Sequence, residues 1–549
     1  MATEGAPLSR DEAPSLFVRQ STGLVRELGL LDVILYNAGA VVIGPVLVFV
    51  MAYWYGSFPD ANVIAALWIS LIPVIFLYIV YAFLTAAMPR AGGDYVFIGR
   101  ILHPAVGFAA NWTMVIWNVI AFGVWGSYAV TLGIAPGLAS VGLVSGNEGF
   151  ISAAETMATE PIAAFITGTI LILILAVLLT RGLRVTKLWW NTAVVIGFFG
   201  LIVGLIPLLT TSQEGFASAF DNVAGAGAYD SVLAYGEGAG VLPLPAVALG
   251  ATLLAVAMAG SGISGATWST YTAGELKQGR SVTRELTVMM IPLGLMVFFW
   301  TIIPLLVDAV AGHDFVVAIN ALSADPEAEK PLPGIGFPMP FHVVFASIAS
   351  GSPIIATIVA IGNVAWFAAL MPAFVMMFIR CVFAWSFDGL MPRFLSDVDP
   401  KTNVPVKATI VVLVLAELGI LLWSFYPGIF SAQIAYYVAV FFFTFSIAGL
   451  AALVFPYVRP EMYNASPIAK YKVGSIPFIS IAGAITIVFS LFTGWINLTT
   501  PSLGVSTDIQ RLMPLIIMVL GFVVYYLAVF IRRSQGSNVE LVFKEIPPD

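Results

Sequence analysis

Twelve times along its length the chain runs through a stretch apolar enough to cross a bilayer, a crossing that takes about 20 apolar residues for roughly 30 Å of hydrocarbon. These stretches begin near Leu28, Val63, Ala105, Pro161, Trp190, Val241, Leu286, Pro353, Val406, Gln433, Gly474 and Leu512. In lipid each backbone N–H and C=O must be paired within the protein, so apolar stretches of this length read as helices. The expected fold is therefore all-α and integral to the membrane, with about twelve transmembrane helices. Composition agrees: 10% of the 549 residues are charged and 60% hydrophobic, too few charges to cover a water-soluble chain of this size. The third stretch is over-long and is expected to tilt or to extend beyond the membrane. The apolar run from Phe341 to Phe387 is about twice a span. It reads as a short outer helix leading into one long eighth crossing, because two crossings would reverse everything downstream.

Charge placement fixes the orientation. With a cytoplasmic start and twelve spans, 21 of the 23 Lys and Arg fall on one side, and only Lys330 and Arg511 on the other. That is the positive-inside pattern, and it places both termini in the cytoplasm of a multi-pass cell-membrane protein. The first 28 residues, with no apolar run and small-residue cleavage site, read as a cytoplasmic tail. Residues 29–533 then hold the twelve spans, and 534–549 a second tail. A net charge of −7 argues against a nucleic-acid partner. The lone Cys381 excludes an internal disulfide or a cysteine cage, and His103, His313 and His342 lie far apart in sequence, so no metal centre or cofactor is expected.

Two spans carry backbone breakers near mid-membrane. Span one reads Asn37-Ala38-Gly39-Ala40-Val41-Val42-Ile43-Gly44-Pro45, and Pro prefers the first turn of a helix, so a second half-helix is expected from about Gly44-Pro45. Span six reads Ala259-Gly260-Ser261-Gly262-Ile263-Ser264-Gly265. These are the first members of two successive sets of five spans, and five is odd, so they run in opposite directions. Paired interruptions in an inverted repeat point to a substrate site at their junction. Half-helix amino ends offer N–H groups to a carboxylate and carboxyl ends offer carbonyls to an ammonium, so one site holds a zwitterion without charged side chains. The expected substrate-binding residues are Ala40, Val41, Ile43, Gly44 and Val46 from span one, with Ala259, Gly260, Gly262, Ser264 and Gly265 from span six. The competing reading is that these Gly and Pro residues only permit close helix packing.

Three segments carry a family resemblance. Pro89-Arg90-Ala91-Gly92-Gly93-Asp94-Tyr95 resembles the Pro-x-x-Gly-Gly-x-Tyr signature of the amino acid–polyamine–organocation transporter superfamily. Thr272-Ala273-Gly274-Glu275-Leu276-Lys277 is similar to that superfamily's segment after span six. Arg380 to Pro392, with Asp388-Gly389, resembles the stretch that ends its span eight. The resemblance implies a core of five plus five inverted helices over residues 29–457 with two peripheral helices over 458–533, alternating-access transport of amino acids or related amines, and loops in which Arg90, Gly92, Gly93, Tyr95, Glu275 and Arg380 control cytoplasmic closure. Read without it, the same loops are turns with topogenic charge. Two departures stand out. Pro45 removes an N–H that many members use to bind a carboxylate. Ala266 and Thr267 follow Gly265 where the family often has an aromatic gate, so the pocket is expected to be larger or closed by other residues.

Na+ or H+ is the expected coupling ion. Span five, read as Trp190 to Leu209, has no lysine to act in place of sodium. A sodium site would use carbonyls near Ala40 and Val41 with Thr357 or Asn363 of span eight, Asn363 being alternatively an interhelical hydrogen-bonding residue. Glu417, midway along span nine, is either a proton carrier or a packing residue. The spans lack the convergent acids, bases or metal ligands of an enzyme. The reading is thus a secondary transporter of amino acids, neutral ones foremost; a channel or facilitator for small organic solutes, or an exchanger of another amine, is the alternative. Oligomeric state is not readable.

Overall fold

The computed structural model describes residues 26–41, 43–277, 281–333, 342–426, 439–503 and 507–537, with the single positions 335, 505, 539 and 543. The protein is an all-α membrane protein of about twelve helices. Among the described residues eleven helices are long and apolar enough to cross a bilayer, and the sixth crossing is a shorter apolar helix. The strands described form one two-stranded turn, Lys472–Val473 with Ile476–Pro477.

Span two is Val63–Ala87, span four Pro161–Thr180, span seven Val282–Ala311, span nine Val406–Phe425, span eleven Phe478–Thr499 and span twelve Asp508–Ser534. Span eight is one helix of 35 residues, Pro353–Phe387, preceded by the short helix His342–Ser350. Span ten is described from a π-helical turn, Ala439–Phe445, through Ser446–Val458, so its expected start at Gln433 lies outside the described residues, as does Phe341.

Two boundaries differ from expectation by about two helical turns. Span five begins at Leu183, not Trp190, and so takes Lys187 into its first turns. The ammonium is tolerated there because it pairs with Asp32 of span one at 3.3 Å, while Asn191 Nδ2 donates to the same carboxylate at 2.8 Å. Span six begins at Leu249, not Val241, because Pro243 and Pro245 remove backbone donors and hold their predecessors extended.

Span three is over-long as read. It runs Pro104–Tyr128, passes through a π-helical turn at Ala129–Ile134, and continues as Ala135–Ser145. Pro136 gives no N–H to the carbonyl of Leu132 four residues earlier. Asn363 Nδ2 of span eight donates to that carbonyl at 2.9 Å, so the interruption in one span is satisfied from another.

Spans five and eight pack backbone to backbone. A Cβ on Gly200 would lie 2.6 Å from Gly362 Cα, so this crossing tolerates glycine alone on both sides.

Candidate functional site

The interruption in span six is a change of helix type. The α-helix Leu249–Gly262 ends at Ile263, and the chain continues as a 3₁₀ helix, Gly265–Tyr271, then Ala273–Glu275. Span one is helical on both sides of Val42, as Leu30–Val41 and Ile43–Ser57, with Gly44 and Pro45 in the first turn of the second piece. Val42 itself lies outside the described residues.

These two segments meet. A Cβ on Gly265 would lie 3.2 Å from Val41 Cγ1 and 3.9 Å from the carbonyl of Ala40. Below the meeting point Asn37 Nδ2 donates to Ser269 Oγ at 3.0 Å and to the Val288 carbonyl at 2.8 Å, and its Oδ1 accepts from Ser269 N–H at 3.1 Å. A side-chain amide thus supplies partners to the backbone that a 3₁₀ segment leaves under-used.

A cavity of about 50 Å³ lies at this junction. Ala40, Val41 and Val46 line it from span one, and Ser261, Gly262, Ser264, Gly265 and Trp268 from span six. The opposite wall comes from Trp125, Leu370, Phe374, Val440, Phe441 and Phe445, so among the described residues no charged side chain lines it. Trp268 stands edge-on to Phe374, centroids 4.1 Å apart. The hydroxyls of Ser261 and Ser264 are spent on the carbonyls of Ala257 and Gly260.

Six of the ten expected substrate residues line this cavity, and four do not. Ile43 is fully buried and its carbonyl accepts from Trp300 Nε1 at 2.9 Å. Gly44 faces Trp366 and His342. Ala259 is fully buried, and Gly260 lies against the Phe489 ring. The aromatic residues after the break were missed, although Trp268 follows Gly265 by three residues, the 3₁₀ spacing that returns a side chain to the same face.

Toward the cation-rich end, the expected gating residues come together with others into a closure. Gly92 and Gly93 take φ of 105° and 54°, conformations glycine adopts freely, and a Cβ on Gly93 would lie 2.6 Å from the Tyr271 ring. Gly92 N–H donates to the Tyr271 carbonyl at 3.1 Å. Tyr95 O–H and Arg100 Nη2 both donate to Asp388 Oδ2, at 2.9 and 3.2 Å. Arg380 Nε pairs with Glu275 Oε1, both buried. Leu28 N–H donates to the Glu275 carbonyl at 3.1 Å, and Lys277 N–H to the Leu28 carbonyl at 3.2 Å. Arg90 is buried beside Pro89, its Nη1 donating to that carbonyl at 3.3 Å. The ends of spans one, six and eight and the loop after span two are thereby tied to one another.

Asp94 is the centre of this closure. It accepts from Tyr271 O–H at 2.9 Å, Asn111 Nδ2 at 2.7 Å and Tyr95 N–H at 2.9 Å. Complete burial nonetheless outweighs these donors and pushes its carboxyl up to about 6. A carboxyl raised above its unfolded value holds its proton more tightly when folded, so stability rises as pH falls through 6 and levels off below the unfolded value, near 4. The linked change is about 3 kcal/mol. Thermal unfolding of wild type and Asp94→Asn between pH 4 and 7 checks this: the variant is expected to lose that part of the slope, and equal slopes refute it.

The coupling-ion candidates do not join the cavity. Thr357 is exposed and its hydroxyl donates to the Pro353 carbonyl of its own helix at 2.7 Å. Asn363 serves the carbonyls of Leu132 and Gly133. Glu417 Oε1 accepts from Thr169 Oγ1 of span four at 2.5 Å, a tie between neighbouring helices. None of the three lines the cavity with Ala40 and Val41.

The sequence matches the amino acid permease family over residues 28–523, a reach that includes the cavity, the closure and eleven of the spans in full. The chain belongs to that family. No curated protein matches it. Membership makes this permease a multi-pass membrane transporter of amino acids or related solutes.

Proposed function

We propose that this permease is a secondary active transporter that moves neutral amino acids, or small amines related to them, by alternating access. The observation that carries the reading is the cavity between spans one and six, walled by backbone and aromatic carbon and free of charged side chains. A zwitterion entering it finds no net charge to match, only backbone dipoles for its two ends. A cationic or anionic side chain would be desolvated there without a partner, which is unfavourable. The aromatic wall favours an apolar side chain.

In this reading the cation-rich end faces the cytoplasm, and the first ten spans form a five-plus-five inverted repeat with spans eleven and twelve at its edge. The closure around Asp94 and Glu275 is the cytoplasmic gate, shut here. Coupling to Na+ or H+ belongs to the same reading.

A thermal-shift panel of the twenty amino acids and common polyamines, each with and without sodium, tests it. Stabilisation by small or medium apolar amino acids is expected. Stabilisation only by arginine or a polyamine overturns the substrate class. Counterflow of labelled against unlabelled substrate in vesicles then separates a carrier, which exchanges, from a channel, which does not.

A further inference from the structure

We infer that the permease binds the phosphate headgroup of an anionic phospholipid of the cytoplasmic leaflet, in a cavity between the turn joining spans four and five and the loop joining spans eight and nine. The leaflet rests on the orientation given above. The cavity itself measures about 170 Å³, and Arg181, Arg184 and Lys401 line it together with Glu27 and Glu275.

The charges do not cancel. Glu275 is neutralised by Arg380. Arg181, Arg184 and Lys401 make no ion pair among the described residues. Three cations therefore face a single unpaired carboxylate, that of Glu27. Some other cations at this end of the bundle have partners: Lys407 pairs with Asp397 at 2.9 Å, Lys187 with Asp32, and Arg532 Nε donates to the Gly389 carbonyl at 2.8 Å.

Span five also starts here. Its 28-residue helix has Gly182 before it and no side chain capping its first amides. Those amides and the guanidinium groups are donors suited to a phosphodiester's two non-bridging oxygens.

The lipid source follows from what lies next to the cations. Leu188, one turn beyond Arg184, is 68% exposed, and Val185 and Trp189 beside it are exposed too. Val177 of span four and Val414 of span nine are likewise bare, Val414 at 63%. A soluble anion has no use for such surfaces, whereas acyl chains below a headgroup lie along them. Basic pockets between helix ends on the cytoplasmic side are suited to anionic headgroups. The bound headgroup would join two loops across the wall that contains Glu275, and so favour the closed form of the gate.

Short-chain phosphatidylglycerol, titrated into the full-length protein in a neutral detergent and followed by thermal shift, tests the site. Wild type is expected to gain stability with phosphatidylglycerol and not with phosphatidylcholine of the same chain length. The double variant Arg184→Gln/Lys401→Gln is expected to lose roughly 30-fold in apparent affinity, about fivefold for each cation removed. Lys407→Gln, whose cation is already paired elsewhere, is the control and keeps wild-type affinity. Equal stabilisation by phosphatidylcholine overturns the proposal. So does inorganic phosphate that matches phosphatidylglycerol, which would make this a free-anion site, and so does a double variant that binds like wild type. Should the double variant not fold, Lys401→Gln alone is read the same way. Labelling of Arg533→Cys from either side of sealed vesicles tests the leaflet separately: extracellular labelling overturns that assignment and the orientation behind it, while the detergent titration still decides the lipid site.

Discussion

Arg380→Met is expected to destabilise the permease by about 3–5 kcal/mol, the range found when one partner of a buried ion pair is removed and the other is left charged. Arg380 is 3% exposed and Glu275 1%, and the second carboxylate oxygen of Glu275 has no hydrogen-bond partner among the described residues. Without the guanidinium, that buried carboxylate loses its ion-pair partner. The double variant Arg380→Met/Glu275→Gln removes both charges and is expected to recover most of the loss, since an apolar or neutral replacement of a whole pair is often close to neutral. Thermal unfolding in detergent measures the first part. Cys381, the lone cysteine, measures the second: it is buried beside Arg380, with Asn111 Nδ2 3.5 Å from its sulfur. Maleimide labelling of Cys381 is expected to be slow in wild type, at least tenfold faster in Arg380→Met, and close to wild type in the double variant. A single variant that unfolds and labels like wild type would show that the pair does not hold the gate.

How much of this was legible in the sequence depends on what kind of signal carries it. Crossings are read from hydropathy, and their placement came out well because lipid demands long apolar helices whatever they pack against. The early start of span five escaped because Arg184 and Lys187 interrupt the apolar window. The structure accommodates both at the helix end, with Lys187 on Asp32. The closure was legible only as loop motifs: Tyr95 reaches Asp388 across 293 positions and Tyr271 reaches Asp94 across 177, ties that no local pattern encodes. The cavity wall was least legible. In a water-soluble protein an apolar residue points inward, but in a membrane protein Phe374 or Phe441 reads the same whether it faces lipid, a neighbouring helix or substrate. Backbone breakers were the better guide there, and they found Gly265 and Val41, while Gly260 and Gly44 turned out to face Phe489 and Trp366.

Gly265→Leu is expected to cut uptake by at least 100-fold, equivalent to about 3 kcal/mol, while leaving the unfolding temperature close to wild type. Gly265 has an ordinary backbone conformation, since its φ is not in the left-handed region, so a side chain introduces no strain of its own. Its Cβ would meet Val41 Cγ1 at 3.2 Å and, at an ordinary contact distance of 3.9 Å, the Ala40 carbonyl oxygen and Val41 Cα, beside the cavity of about 50 Å³. A leucine there fills the space between spans one and six with carbon, and it adds apolar contact that compensates for any crowding of Val41. Gly265→Ala places one methyl group at the edge of the same space and is expected to keep uptake within about threefold of wild type. Gly260, five residues earlier, gives the contrast. Its Cβ would press on the Phe489 ring outside the cavity, so Gly260→Leu is expected to lose stability through overpacking, by about 1–3 kcal/mol or more, with uptake falling only as the folded protein is lost. The two leucine variants therefore separate the path of the substrate from the packing around it. Uptake by Gly265→Leu at the wild-type rate would mean that substrate does not pass between these two spans.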